Sequence, residues 1–531
     1  VVLAEKAAVF VDGRYTLQAE AEVPGGLFQH CPMTNGEPTA WIAGNLGPGM
    51  KLGYDAWLMT PGQVNRYQAA CDKAESVLEP VTENPLDAVW TDRPETPLSL
   101  IIIHEAAFAG QSASEKCSQV ADALRGEKID AAVLTAPDSI AWLLNIRGGD
   151  VPFSPLALAF AIIGAEGGVD LFVDGRKLSP EIRDHLGAGV RCLEPGAFGP
   201  ALDALGKGNK AVRLNSETAP VWVLQRLEAA GAKVRAGADP CQLPKARKTL
   251  AQLDGIRSAH RRDGASLTRF LAWLAENVGG GSLTEQSCAE TLESFRRDND
   301  HFRGPSFPTI SGTGPNSAIV HYRVGPETDR VLEQGTLYLV DSGAQYLDGT
   351  TDVTRTVAIG APTVAMARHF TLVLKGHIAL ATARFPAGTS GSQLDVLARR
   401  ALWAEGLDYE HGTGHGVGHF LGVHEGPQRI SKIPNRVALE PGMVVSNEPG
   451  YYKADAYGIR IENLVCVTAG DPLSFETLTL APIDRALIDT DLLEISEIAW
   501  LDSYHARVRD EITPLIDAAA AKWLQHATKP L

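Results

Sequence analysis

Gly335-Thr-Leu-Tyr-Leu-Val-Asp341 and Thr351-Asp-Val-Thr-Arg-Thr-Val-Ala-Ile359 read as two β-strands joined through the turn chemistry of Asp348-Gly349. Asp341 ends the first strand, and Asp352 lies on the second, 11 residues later. Downstream, the spacing of Leu394, Leu397, Ala398, Ala401 and Leu402 predicts a helix that stops at Gly406. Further strands read at 443–446 and 459–467. Helices against a mostly antiparallel sheet make this region α+β. The tail from about Ile488 to Leu531 reads as helical and carries no recognisable chemistry.

Four of the 14 histidines, His411, His415, His419 and His424, fall in one short stretch: His-Gly-Thr-Gly-His-Gly-Val-Gly-His-Phe-Leu-Gly-Val-His. The i, i+4 spacing invites comparison with an HExxH zinc helix. Glycines at 412, 414, 416 and 418 would each cost a helix about 1 kcal/mol, and no glutamate follows the first histidine. Nor is this a GxGxxG phosphate loop, because the glycines recur at every second residue. That period suits an extended segment that another backbone approaches closely.

Glu448 ends a strand and enters Pro449-Gly450. Glu462 lies in Gly458-Ile-Arg-Ile-Glu-Asn463, where the alternation puts Arg460 and Glu462 on one sheet face. Any one of these carboxylates alone is an ordinary strand-end or capping residue. Several pointing into one face would repel and be costly to desolvate unless cations neutralise them. Four carboxylates and one imidazole are the donor set of a two-metal site, and so many oxygens favour Mn²⁺ or Co²⁺ over a sulfur-rich zinc site. Two such ions, about 3.5–4 Å apart, can polarise a carbonyl and stabilise the oxyanion formed on attack.

Upstream, Phe10-Val-Asp-Gly-Arg14 recurs as Phe172-Val-Asp-Gly-Arg176, an offset of 162 residues, each a strand running into a tight turn. The stretch around 140–147 that precedes the second copy has no counterpart ahead of the first, so the repeat implies opening strands beyond residue 1. The two prolines in Trp90-Thr-Asp-Arg-Pro-Glu-Thr-Pro97 read as a connector. The expected division is 1–97 and 98–244 for two α/β copies, 245–487 for the α+β region and 488–531 for a helical extension. Lys245-Ala-Arg-Lys248 reads as a solvated linker. The helical pattern after it (Leu250, Leu253, Ile256, then Leu267, Phe270, Leu271 and Leu274) is divided at Gly264.

The 531 residues are 44% hydrophobic and 21% charged, which excludes disordered and fibrous classes. A net charge of −16 argues against nucleic acid or anionic membrane as the main partner. The 7 cysteines are scattered, with no CxxC pair, as expected of free thiols in a reducing compartment. No apolar run reaches the ~18 residues of a membrane span; the best, 156–165, reads as a core strand. The chain opens Val1-Val2-Leu3, so a targeting segment ahead of it stays open.

These motifs resemble the pita-bread metallopeptidases, in particular the long, three-domain Xaa-Pro aminopeptidase (aminopeptidase P) form. The likeness rests on Val340-Asp-Ser-Gly-Ala-Gln-Tyr346, Asp348-Gly-Thr-Thr-Asp-Val-Thr-Arg-Thr356, the histidine run with Val423-His-Glu-Gly-Pro427, Asn447-Glu-Pro-Gly-Tyr-Tyr452 and Gly458-Ile-Arg-Ile-Glu-Asn463. Trp90–Pro94, Ala141–Gly149 and 306–311 extend it over nearly the whole chain. It implies creatinase/prolidase N-terminal-like α/β repeats ahead of an α+β pita-bread catalytic domain. It also implies two divalent ions, Mn²⁺ with Co²⁺ or Zn²⁺ as alternatives, held by Asp341, Asp352, His415, Glu448 and Glu462, with Asp352 and Glu462 bridging. Glu448 would be general base. His424 and His321 would bind the peptide and stabilise the oxyanion, and His411 would line the pocket. Arg460 would orient carboxylates or peptide, Arg14 would approach the site from the N-terminal region, and Arg176 would be a turn residue. His419 departs from the family and reads as a local variant.

The implied reaction is hydrolysis of the bond between a peptide's N-terminal residue and a following proline, by a hydroxide bridging the ions, in a cytoplasmic homodimer. Proline's amide lacks N–H and its φ is restricted, so general aminopeptidases handle it poorly. Within the same fold a prolidase carries one N-terminal domain, a creatinase no metal, and a peptide-binding module typically an incomplete donor set. Two repeats and five donors favour the aminopeptidase.

Overall fold

The structure is a computed structural model describing residues 1–33 and 37–531. The chain forms two units: Val1–Asp12 with Val23–Lys245, and Gly13–Glu22 with Ala246–Leu531.

The first unit is α/β. A six-stranded mixed sheet runs in the order Val190–Leu193, Val169–Phe172, Phe160–Gly164, Ala131–Leu134, Ala211–Leu214, Lys233–Ala236. Leu202, Val212, Leu214, Val223 and Leu227, none more than 1% exposed, form its core with Phe172 and Phe198. The 156–165 run supplies the central strand Phe160–Gly164. Ahead of this sheet, Ala8–Val11 pairs in parallel with Gln29–Pro32, as Val169–Phe172 pairs with Val190–Leu193, each matching residues 21 apart. The repeated Phe-Val-Asp-Gly-Arg string thus marks the same strand–turn–parallel-strand connection twice.

The second unit is α+β. Ile310–Thr313, Thr336–Ser342 and Val353–Ile359 form one antiparallel sheet, and Val444–Asn447, Asn463–Thr468 and Ser474–Thr477 another. Asp348-Gly349 closes a separate small hairpin, which pairs with Phe302–Pro305. Helices Val364–Ala381, Gly391–Trp403, Ile495–Ile512 and Ala518–Ala527 share one core with these strands through Phe370, Leu374, Leu402, Leu501, Val508, Ile512 and Leu524. Fully burying such side chains contributes about 1.5–3 kcal/mol each, so the C-terminal helices are part of the unit's stability.

Three local expectations differ from the structure. Helix Leu250–Asn277 is unbroken, capped by Thr249, whose hydroxyl accepts from Gln252 N. Gly264 does not divide it: a Cβ there would lie 2.3 Å from Leu480 O, so the glycine permits close helix packing. The strand expected over 459–467 is two, Tyr457–Arg460 and Asn463–Thr468. Arg460 pairs with Gly450 and Asn463 with Asn447, and the chain changes sheets at Ile461-Glu462. Lys245 and Lys248 are buried rather than solvated, paired with Asp138 at 2.7 Å and Glu425 at 2.7 Å; each stem is buried where its ammonium meets a carboxylate.

Candidate metal centre

Strand pairing gathers the carboxylates. Asp341 lies opposite Thr354, which puts both side chains on one face beside Asp352, just ahead of its strand. Asn447 pairs with Asn463, so Glu448, just past one strand, and Glu462, just before the other, emerge at the same end. The period-two glycines bring in His415. A Cβ on Gly414 would lie 2.0 Å from Ser446 O, and one on Gly416 2.0 Å from Glu425 O, so only glycine admits this approach.

Donor atoms of Asp352, His415 and Glu462 all lie within 4.8 Å of one another. His415 Nε2 is 3.5 Å from Asp352 Oδ2 and 3.5 Å from Glu448 Oε1. That is too long for a good hydrogen bond, and near the separation of two donors that each lie ~2.1 Å from a shared ion. His415 Nδ1 donates to Gly416 O at 3.0 Å, which leaves the lone pair on Nε2. Among the described residues, Asp341 Oδ1 and Glu462 Oε1 are buried without a hydrogen-bond partner. Burial, reinforced by neighbouring carboxylates, pushes Asp352 and Glu462 well above the usual carboxylate range. Burial also raises Glu448, with His415 and Arg460 opposing. Unpartnered oxygens and mutually repelling buried carboxylates are what divalent cations relieve, so these residues fit the metal pair.

Arg460 binds the cluster from behind. Its guanidinium donates to Asp341 Oδ2 at 2.6 Å, Thr354 Oγ1 at 3.1 Å and the Tyr452 hydroxyl at 2.6 Å. Burial works against that charge, but Tyr452, Asp341, Glu448 and Glu462 outweigh it and hold Arg460 protonated. Thr354 passes the contact on, donating to Glu462 Oε2 at 2.8 Å. His411 Nδ1 donates to Gly412 O at 2.8 Å, so Nε2 accepts from the Tyr452 hydroxyl at 2.8 Å. Burial, with Arg460, pushes His411 well below its ordinary value, which keeps it neutral. His424 meets His415 edge-on at 4.2 Å between ring centroids, and that neighbour, followed by burial, lowers it to about 3. His321 and Arg14 also lower His424 electrostatically. His419 is buried, and Arg176 bonds back to Asp174 of its own turn.

Sequence reasoning missed the supporting residues. Thr354 sits two residues from Asp352, and alternation alone could have placed it on the same face. Buried Glu285 accepts from Thr313 N, Asn316 Nδ2, Tyr322 Oη and Arg330 N, and so holds the loop that carries His321. Arg355, on the opposite strand face, donates to Glu462 O at 2.7 Å, Asn463 Oδ1 at 2.8 Å, Ala481 O at 2.8 Å, Pro482 O at 3.0 Å and Tyr504 Oη at 3.0 Å. No local pattern announces these long-range partners.

An antiparallel scaffold that concentrates buried carboxylates around one imidazole could hold divalent cations. The model of metallopeptidase family M24 matches residues 254–469, that of the creatinase/prolidase N-terminal domain 92–252, and that of the C-terminal region of peptidase M24 471–531. The chain belongs to metallopeptidase family M24. Aminopeptidase P1 of Lotus japonicus is 38% identical, covering 99% of this chain and 90% of its own. A probable Xaa-Pro aminopeptidase P of Laccaria bicolor is 40% identical, over 100% and 85%. The crystal structure of an X-prolyl aminopeptidase from Caenorhabditis elegans, described as a cytosolic enzyme with a di-nuclear active site, matches at TM-score 0.95 and 35% identity, covering 100% of this chain and 89% of that one. Among the described residues, no helix is long and apolar enough to cross a membrane.

Proposed function

We propose that this chain is a metallo-aminopeptidase that releases the N-terminal residue from peptides with proline second. Asp341, Asp352, His415, Glu448 and Glu462 would hold two divalent ions, Mn²⁺ foremost. The observation that supports this reading most is the grouping of Asp352, His415 and Glu462, with Glu448 3.5 Å from His415 and, among the described residues, unpartnered oxygens on Asp341 and Glu462, in a chain alike over its full length to Xaa-Pro aminopeptidases. When bound, the ions supply Lewis-acid polarisation of the scissile carbonyl and lower the pKa of the attacking water. Glu448 takes that water's proton on its carboxylate, oriented by the Ser446 hydroxyl 3.1 Å from Oε1. His424 and His321 bind the peptide and face the developing oxyanion. His411, neutral and fixed by Tyr452, lines the pocket, and Arg460 keeps Asp341 and Tyr452 in register. Arg14 contributes positive charge at the same mouth. We place the enzyme in the cytoplasm as a homodimer.

The test is chelation followed by readdition of Mn²⁺, Co²⁺ or Zn²⁺, with Arg-Pro-Pro, Ala-Pro and a proline-free tripeptide as substrates. The expected result is metal-dependent release of arginine from Arg-Pro-Pro and none from the proline-free peptide. Cleavage of Ala-Pro alone would convert the reading to a prolidase.

A further inference from the structure

The repeated Phe-Val-Asp-Gly-Arg turn ends differently in its two copies. In the second, Arg176 folds back onto Asp174, and the next residue, Lys177, is buried against Asp150 at 2.5 Å. In the first, Tyr15 stands where Lys177 does, and Gly13–Glu22 groups with the catalytic unit while the residues on either side group with the other. The Tyr15 hydroxyl lies 2.9 Å from His321 Nδ1, and the two rings meet edge-on with centroids 5.2 Å apart. The segment is fixed at both ends. A Cβ on Gly13 would come 2.6 Å from Glu410 Cβ, beside His411. Ala19, 5% exposed, donates its amide to Tyr15 O at 2.8 Å, so the first turn of helix Thr16–Glu22 sets the tyrosine backbone.

We infer that Tyr15 is a positioning residue for His321, so that the tail of one repeat turn serves the active site while its counterpart stays structural. This rests on the reading of His321 as a peptide-binding residue. An imidazole on a loop can rotate about two torsions and exchange tautomers. A hydroxyl on Nδ1 restricts the rotation, and the chemistry of the ring then runs through Nε2. A tyrosine hydroxyl can donate or accept, so the contact persists whether or not Nδ1 carries a proton. Lysine, as at position 177, could only donate.

The experiment is a double-mutant cycle on the metal-loaded enzyme with Arg-Pro-Pro: Tyr15→Phe, His321→Ala and the pair. Tyr15→Phe keeps the ring contact and removes one hydroxyl. It should lower kcat/KM about two- to tenfold, the value of one hydrogen bond, with metal content and melting temperature unchanged. In the His321→Ala background the same substitution should change kcat/KM by less than about 1.5-fold, because its target is gone. The inference is overturned if Tyr15→Phe retains full kcat/KM while His321→Ala is impaired, or if its cost is undiminished in both backgrounds. Full activity of His321→Ala would instead remove the reading of His321, and this inference with it.

Discussion

Substituting alanine for Gly414 perturbs the metal centre without touching a donor. The added Cβ would lie 2.0 Å from Ser446 O and 2.9 Å from its carbonyl carbon, and real Cβ contacts essentially never fall under 3.0 Å. Gly414–His415 must therefore move from Val444–Asn447 by about 1 Å, the difference between those two distances. Each segment carries part of the site. Ser446 Oγ accepts from His415 N at 2.9 Å and donates to Glu448 Oε1 at 3.1 Å, and His415 Nε2 is 3.5 Å from Glu448. Displacing reacting groups by about 1 Å costs on the order of 100-fold in rate, and overpacking adds about 1–3 kcal/mol of lost stability. Gly412→Ala is the matched control, since its Cβ would lie 3.4 Å from the nearest atom, Ile430 O. The assay is kcat/KM on Arg-Pro-Pro with metal per chain and melting temperature measured on the same samples. Gly414→Ala should lose about 100-fold in kcat/KM together with metal, and Gly412→Ala should stay within about twofold. Full metal and activity within threefold of wild type in Gly414→Ala would refute the close-approach argument.

Glu448→Gln should lower turnover by about 10²–10⁴-fold while a non-cleavable peptide analogue keeps most of its affinity, read by steady-state kinetics and calorimetry. Asp341→Ala should lose metal, because it deletes a proposed donor and releases the Arg460 charge beside the remaining carboxylates; elemental analysis checks this. In the metal-free protein, Asp352 and Glu462 hold protons that the unfolded chain gives up near pH 4. The folded state therefore binds more protons above that pH, and stability falls as pH rises toward the folded values. The chelated protein should melt higher at pH 5.5 than at pH 8, and metal should abolish the difference. Arg355→Met should cost about 3–5 kcal/mol in a denaturant titration, since it strands several buried acceptors.

Whatever obeys a short period was legible in the sequence. Asp341 and Asp352 stood out at the end of one strand and on the next, Arg460 and Glu462 shared a face by strand alternation, and the histidine run stood out through glycines whose spacing excluded a helix. Misreadings came where a local rule met a distant neighbour. Gly264 has the composition of a helix break, yet Leu480 O lies against it. Lys245 and Lys248 have the composition of a linker, yet their carboxylates come from Asp138 and Glu425. The apolar alternation through Ile461 and Glu462 concealed a change of sheet, because both halves alternate alike. Tyr15 and Tyr452 stayed invisible for the same reason: each matters through a partner far away or through a bond that only folding creates.

The tie between Arg355 and Tyr504 also has a consequence in time. The two residues are 149 apart in the sequence, so at ~5–20 residues per second the ribosome adds the tyrosine roughly 7–30 s after the arginine. Asp341, Asp352, His415, Glu448 and Glu462 are all made before it. Until helix Ile495–Ile512 arrives, the guanidinium behind Glu462 lacks its hydroxyl partner, and the core lacks Leu501, Val508 and Ile512. The nascent chain thus carries all five of these side chains before it has the frame that orders them.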